Sequence, residues 1–343
     1  MDEDWYKRGE ALRRAMPLSR MLDYGLDESL AQTTHDHVVA GMRWEDVLTG
    51  VADVARREGK LFTAAVAMNF AQMASNFDTP ERIALFRLST QDFIAWAAES
   101  GGQLTRYRLD HKGGQLFGWD FPTTIPTAPT VIVVGGMSGW ASSFVSMARA
   151  LNARGLRCLL LDGPGQGETR INGRIYLQHG YPGAISAVVD DLMSAGCLSV
   201  GIWGNSMGGL FAAVSTRDDE RIGACCINGA PTSLIFPEFR TAREQIAAMF
   251  GVLSVEAAED LPEVAKTLQI LAFEGGHHPL HCPTLICEGG ADPLVPLDSQ
   301  RAFLIGNTNS RSSVLSWADG EHTIYNHTAE RNASVSNWFR SVL

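Results

Sequence analysis

The sequence predicts an α/β protein built on a mostly parallel sheet covered by helices. Three observations lead there. Beyond residue 130, short apolar runs rich in branched side chains alternate with helical patterns, as in a sheet buried on both faces. The first hundred or so residues show helical spacing alone. Between Ser233 and His281 the alternation stops and the pattern is helical without a strand. The expected organisation is a helical N-terminal cap region over residues 1–102 and an α/β domain over 103–343. A helical lid insertion at about 233–281 belongs to the second.

Along the chain, Ala64, Met68, Ala71 and Met73 recur at helical spacing beside Phe62 and Phe70. Asp78-Thr79-Pro80-Glu81 opens a further helix, with Pro80 suited to its first turn. Near Gly101-Gly102 the character changes. Thr105 to Leu109 and Gln115 to Asp120 read as two strands joined at Lys112-Gly113-Gly114. Six apolar runs come next, at Val131–Val134, Leu156–Leu161, Leu198–Trp203, Ile222–Ile227, Thr284–Cys287 and Ser313–Trp317. Helices are expected at Ser142–Asn152, Ala184–Ala195 and from Met207.

Composition limits the function. Apolar residues are 45% and charged residues 19%, and the formal net charge is −10. So acidic a chain lacks the basic footprint of a nucleic-acid binder and gives no reason to seek an anionic membrane. No run approaches the roughly 20 apolar residues of a membrane span. The N-terminus has no basic and apolar leader pattern, so a cytoplasmic location is the expectation. The six cysteines form no Cys-x-x-Cys pair and sit mostly in apolar runs, as buried free thiols do. No zinc-type spacing is present, and neither a metal nor a cofactor is expected.

The residues that carry chemistry sit at strand ends. Gly204-Asn205-Ser206-Met207-Gly208 closes the third run and opens a helix of small residues. That strand–turn–helix setting is a nucleophile elbow, in which the turn lifts Ser206 clear of the sheet. The bland alternative is a serine that merely caps the helix. A serine hydroxyl needs a base. Of nine histidines, His322 in Asp319-Gly320-Glu321-His322 is best placed, just beyond the sixth run. His327 is its nearest rival, and His179 sits in a loop that could approach the cleft. His277, His278 and His281 read as surface or lid residues. The base needs a carboxylate to set its tautomer. Asp292 follows the fifth run and fits, with Glu288 as the alternative and Asp319 too near His322 in sequence. An oxyanion hole needs two backbone N–H groups. Met207 should give one, and Gly136 or Met137, in the loop after the first run, the other. Asp162-Gly163-Pro164-Gly165-Gln166-Gly167 is glycine-rich, but the next residues, Glu168 to Gly173, do not read as a helix. A tight loop beside the elbow is expected there, not a nucleotide site.

Together these motifs resemble the α/β-hydrolase superfamily from about residue 105 to the end. They are the Gly135-Gly136 loop, Asp-x-Pro-Gly-x-Gly, the elbow, Gly289-x-x-Asp292-x-x-x-Pro296 and Gly320-Glu321-His322, in the order Ser, Asp, His. The helical N-terminal region is similar to that of a narrower group. That group holds the pseudooxynicotine hydrolases, the fungal pigment hydrolases that shorten polyketides, and the esterases related to fermentation-respiration switch protein. The resemblance implies a cap over the cleft and cleavage of an ester or of a carbon–carbon bond beside a ketone. It also implies a lid glutamate, to which Glu238 would correspond, with a solvated lid residue as the other reading. Trp140, Phe236, Met137 and Trp203 are expected near a bulky, aromatic or polyketide-like substrate, with core packing as the alternative, above all for Trp203. Similar enzymes of spirotetronate biosynthesis eliminate acetate, so a lyase on the same residues stays open, as does a non-catalytic binder. The expected partner is a small molecule, and the N-terminal helices offer surface for a second copy of the chain.

Overall fold

The computed structural model describes residues 3–125, 127–234, 240–252, 254 and 262–343. The chain divides into two compact units, Met1–Leu104 and Thr105–Leu343.

The first unit is helical: α1 (Glu3–Ala15), α2 (Leu18–Asp23), α3 (Glu28–Val39), α4 (Trp44–Arg57), α5 (Leu61–Gln72) and α6 (Pro80–Glu99). Helix α5 is apolar nearly all round, and every residue from Ala64 to Gln72 is buried. A helix with no polar face must be the centre of its bundle, and α4 and α6 pack along it. Trp44 donates its indole N–H to the carbonyl of Phe70 at 2.9 Å. The start of α6 is as the sequence reads. Thr79 caps it by accepting from the Arg82 N–H at 3.2 Å, and Pro80 occupies the first turn.

The second unit holds eight strands: β1 (Thr105–His111), β2 (Gly114–Phe121), β3 (Thr130–Val134), β4 (Arg157–Asp162), β5 (Val200–Asn205), β6 (Ile222–Asn228), β7 (Thr284–Gly289) and β8 (Ser313–Trp317). Their order across the sheet is β1-β2-β4-β3-β5-β6-β7-β8. The β1–β2 and β2–β4 pairs are antiparallel and all others parallel. Every residue of β3 and β5 is buried. Helices α7 (Val145–Asn152), α8 (Gly167–Ile171), α9 (Tyr181–Ser194) and α10 (Met207–Asp218) follow β3, β4 and β5. Tyr181 on α9 stacks on Phe211 of α10 with ring centroids 4.0 Å apart. Full burial of one such side chain stabilises by roughly 1.5–3 kcal/mol.

The insertion carries helices at Arg240–Met249 and Pro262–Ile270. The expected helix at Ser142–Asn152 begins as a tight 3-10 turn, Ala141–Phe144, before α7. The reading of Asp162–Gly167 needs correction, because a short helix, α8, does follow it directly. The Asp162 carboxylate nucleates it by accepting from the Glu168 N–H at 2.9 Å. It also accepts from the Ala141 N–H at 2.8 Å, so it ties the loops after β3 and β4 together. Burial pushes this carboxyl up to about 6.

All six cysteines are buried and unlinked. Burial raises the thiols of Cys158, Cys225 and Cys226 far above their usual range and that of Cys282 to about 11, so these four stay protonated. No helix among the described residues is long and apolar enough to cross a membrane.

Candidate active site

The strand order sets the position of the site. From β3 the chain moves to β4 on one side, then crosses to β5 on the other. The carboxyl ends of β3 and β5 therefore flank the point where the winding reverses, which is where open α/β sheets form a crevice. The loop after β3 carries Gly135-Gly136-Met137, and the loop after β5 carries Ser206.

Ser206 has φ 55° and ψ −131°. A non-glycine residue there is strained, and the surroundings hold it so. Its N–H donates to the carbonyl of Asn228 at 2.8 Å. Its flanking glycines are required by close approach. A Cβ at Gly204 would lie 2.1 Å from the Gly208 carbonyl, and one at Gly208 would lie 2.4 Å from that of Gly135. Ser206 precedes α10 but makes no capping bond, which removes the bland reading of its place. Its Oγ is instead 2.9 Å from His322 Nε2.

His322 Nδ1 lies 2.9 Å from Asp292 Oδ2. The other carboxylate oxygen accepts from the N–H groups of Leu294 and Val295, at 2.8 and 3.1 Å. The Asp292 side chain is 1% exposed and that of His322 is 13% exposed. Two backbone donors and one imidazole thus fix the carboxylate, and it in turn fixes the ring. Ser206, His322 and Asp292 come from the ends of β5, β8 and β7 and form one continuous chain of hydrogen bonds.

The rival groups are engaged elsewhere. Glu288 accepts a bidentate pair of bonds from Arg301, at 2.6 and 2.5 Å, which holds its carboxyl below the usual range. Asp319 pairs with His327 at 2.9 Å. His179 accepts from the Tyr176 N–H at Nδ1, and its carbonyl accepts from Lys112 in the β1–β2 turn. His277, His278 and His281 are exposed.

Met207 is the first residue of α10, so its N–H has no acceptor within the helix and points out of the positive end. Gly136 is buried against Ser206, and Met137 is half-buried against the core. Trp140 needs correction as a pocket wall. It is 1% exposed, with the Arg170 guanidinium 5.3 Å above its ring, so it packs inside the unit. Trp203 is fully buried and tilted against Phe339. Phe236 and Glu238 lie outside the described residues. Among the described residues, no group of three His, Cys, Asp or Glu side chains could hold a metal ion.

Sequence reasoning missed three polar residues that support the site. Asn228 closes β6; its amide donates to Asn205 Oδ1 at 2.9 Å and to the Thr323 carbonyl at 3.0 Å. It thereby links the residue before the serine to the residue after the histidine. Arg331, on the C-terminal helix, and Gln166, in the loop after β4, are both buried. A polar residue ending an apolar strand, or standing in a glycine-rich loop, is the signal that could have marked Asn228 and Gln166.

A family model described as the alpha/beta hydrolase fold matches residues 129–268. The curated 2,6-dihydropseudooxynicotine hydrolase of Paenarthrobacter nicotinovorans is 27% identical over 221 residues. That match covers 63% of this chain and 58% of the relative's length. A crystal structure of 2,6-dihydroxy-pseudo-oxynicotine hydrolase superimposes with a TM-score of 0.76 at 21% identity, covering 95% of each chain. AbyA5 superimposes with a TM-score of 0.69 at 16% identity, covering 86% of this chain and 92% of its own. The sheet order, the strand-end loops and these likenesses agree, and the chain has the α/β-hydrolase fold.

Proposed function

We propose that this protein is a serine-dependent hydrolase with Ser206 as nucleophile, His322 as general acid–base and Asp292 as its orienting carboxylate. One observation carries the reading: the unbroken Ser206–His322–Asp292 chain, with both contacts at 2.9 Å. His322 takes the hydroxyl proton as Ser206 Oγ bonds to a substrate carbonyl carbon. The carbonyl oxygen becomes an oxyanion, held by the Met207 N–H and by a donor from the Gly136–Met137 loop. The carbonyl re-forms as the bond to the leaving group breaks, and His322 returns the proton to that group. Water, deprotonated by His322, then releases the acyl group and regenerates Ser206.

The substrate proposed is a bulky ester, or a ketone whose adjacent carbon–carbon bond is cleaved. The curated relative, a pseudooxynicotine hydrolase by name, supports this class.

The test is turnover of p-nitrophenyl acetate by wild type and Ser206→Ala, repeated in H2-18O with product mass recorded. Loss of turnover in the variant, and one labelled oxygen in the acid product, are expected. Equal turnover in both proteins overturns the serine mechanism. A product formed without label from an acylated polyketide substrate would mark elimination in place of hydrolysis.

A further inference from the structure

We infer that Gln166 is a positioning residue that aims the backbone donors of the oxyanion hole. The inference rests on the serine-hydrolase reading above and adds to it a residue that never touches the substrate.

Gln166 is 1% exposed, in the loop after β4. Its amide nitrogen donates to the carbonyl of Gly135 at 2.5 Å and to that of Gly136 at 2.8 Å. Its amide oxygen accepts from the Gly163 N–H at 3.0 Å and from the Tyr181 hydroxyl at 2.9 Å. A glutamine amide has two donors and two acceptor sites, so this one is saturated and its orientation is fixed. Its partners lie in the loop after β3, in the loop after β4 and on α9.

Peptide planarity turns that clamp into an aiming device. In a trans peptide the C=O and the following N–H point in opposite directions. Pinning the carbonyls of Gly135 and Gly136 on one amide therefore turns the N–H groups of Gly136 and Met137 together, away from Gln166. Successive N–H groups that share a direction form a concavity for an anion. Among the described residues, neither N–H has a protein acceptor. Gly136 is buried, and buried N–H groups are nearly always paired, so its exception calls for a partner that arrives from outside. The loop also lies against the nucleophile: a Cβ at Gly136 would be 3.0 Å from Ser206 Cβ and 3.3 Å from its Oγ. Gln166 thus supplies the rigidity on which an oxyanion hole depends, since its donors must be in place before charge develops.

The experiment compares wild type, Ser206→Ala, Gln166→Glu and Tyr181→Phe on p-nitrophenyl acetate between pH 5 and 8. A glutamate at 166 keeps the acceptor side, but when ionised it cannot donate to the two carbonyls. Protonated, it regains one of the two donors. At pH 8, Gln166→Glu should lower kcat by about 10–100-fold, with KM within about threefold. The ratio of variant to wild-type kcat should then rise about tenfold as pH falls to 5. A merely structural role would move neither the ratio nor kcat apart from KM. Tyr181→Phe removes one bond to the Gln166 oxygen and should lower kcat severalfold. It decides the matter if Gln166→Glu does not fold, and an unchanged kcat there overturns the proposal. If Ser206→Ala abolishes turnover but Gln166→Glu follows wild type at every pH, the inference fails and the serine mechanism stands. If Ser206→Ala retains full turnover, the mechanism itself fails.

Discussion

The side chain of Arg331, fully buried in the last helix, donates from Nη1 to the carbonyl of Thr323 at 2.7 Å. Asn228 donates to the same oxygen from β6. Thr323 and Ile324 both have positive φ, 53° and 62°, directly after His322. β-Branched residues avoid this region, at a cost on the order of 1–3 kcal/mol each. The two donors hold the turn that presents the histidine. Arg331→Met should lower the melting temperature and reduce kcat/KM by about 10–100-fold, while His322 remains in the chain. Calorimetry and ester kinetics on the same preparation check it. An active, equally stable variant would show that the turn holds itself.

Asp292→Asn should keep the fold and lower kcat by about 10⁴-fold, because the amide no longer accepts from His322 and the ring loses its tautomer. Steady-state kinetics and a circular dichroism spectrum are the measurements. Loss of activity below one tenfold step would place the acid elsewhere.

Glu288 is the contrasting case. Arg301 beside it holds its folded carboxyl below the ordinary value. A depressed acid stabilises above its unfolded value, and that contribution is lost as pH falls through the folded value. Glu288→Gln should therefore be less stable than wild type at pH 7. The difference should shrink on acidification below about pH 4, with kcat within about twofold throughout. Denaturant titrations at several pH values read this.

Asp162 has the opposite sign. Its carboxyl is pushed up to about 6, chiefly by burial, from an ordinary 3.8. A raised acid binds its proton more tightly when folded. Its contribution is therefore favourable below the ordinary value and is lost as pH rises through about 6. The full cost of ionising it in place is about 3 kcal/mol. The stability of wild type relative to Asp162→Asn should fall between pH 4 and 7. A flat difference would mean that the two N–H donors already offset the burial.

Most of the sheet was legible because strands buried on both faces, β3 to β7, spell themselves out as apolar runs. All six runs beyond residue 130 are strands, and the Thr105–Asp120 segment is the antiparallel hairpin it reads as. Ser206, Asp292 and His322 were legible because each follows such a run within a motif dense in glycine. What escaped was non-periodic. The pairing of β2 with β4 joins segments that are not consecutive, and no local pattern encodes it. Asn228, Gln166 and Arg331 are single polar residues in apolar surroundings, whose value lies in partners far along the chain. The short helix after Asp162 was misread because a side chain, not propensity, starts it. Trp140 was placed at the pocket by its neighbours in sequence, whereas Arg170 covers it.

The insertion leaves the sheet after Asn228 and returns at Thr284, and the strands on either side of it, β6 and β7, pair directly. The sheet thus closes beneath it whatever its length. Each doubling of a flexible connection costs only about 0.6 kcal/mol in closure entropy. A change in the length of that segment therefore leaves intact the pairing of β6 with β7, and with it the strand ends from which Ser206, Asp292 and His322 meet.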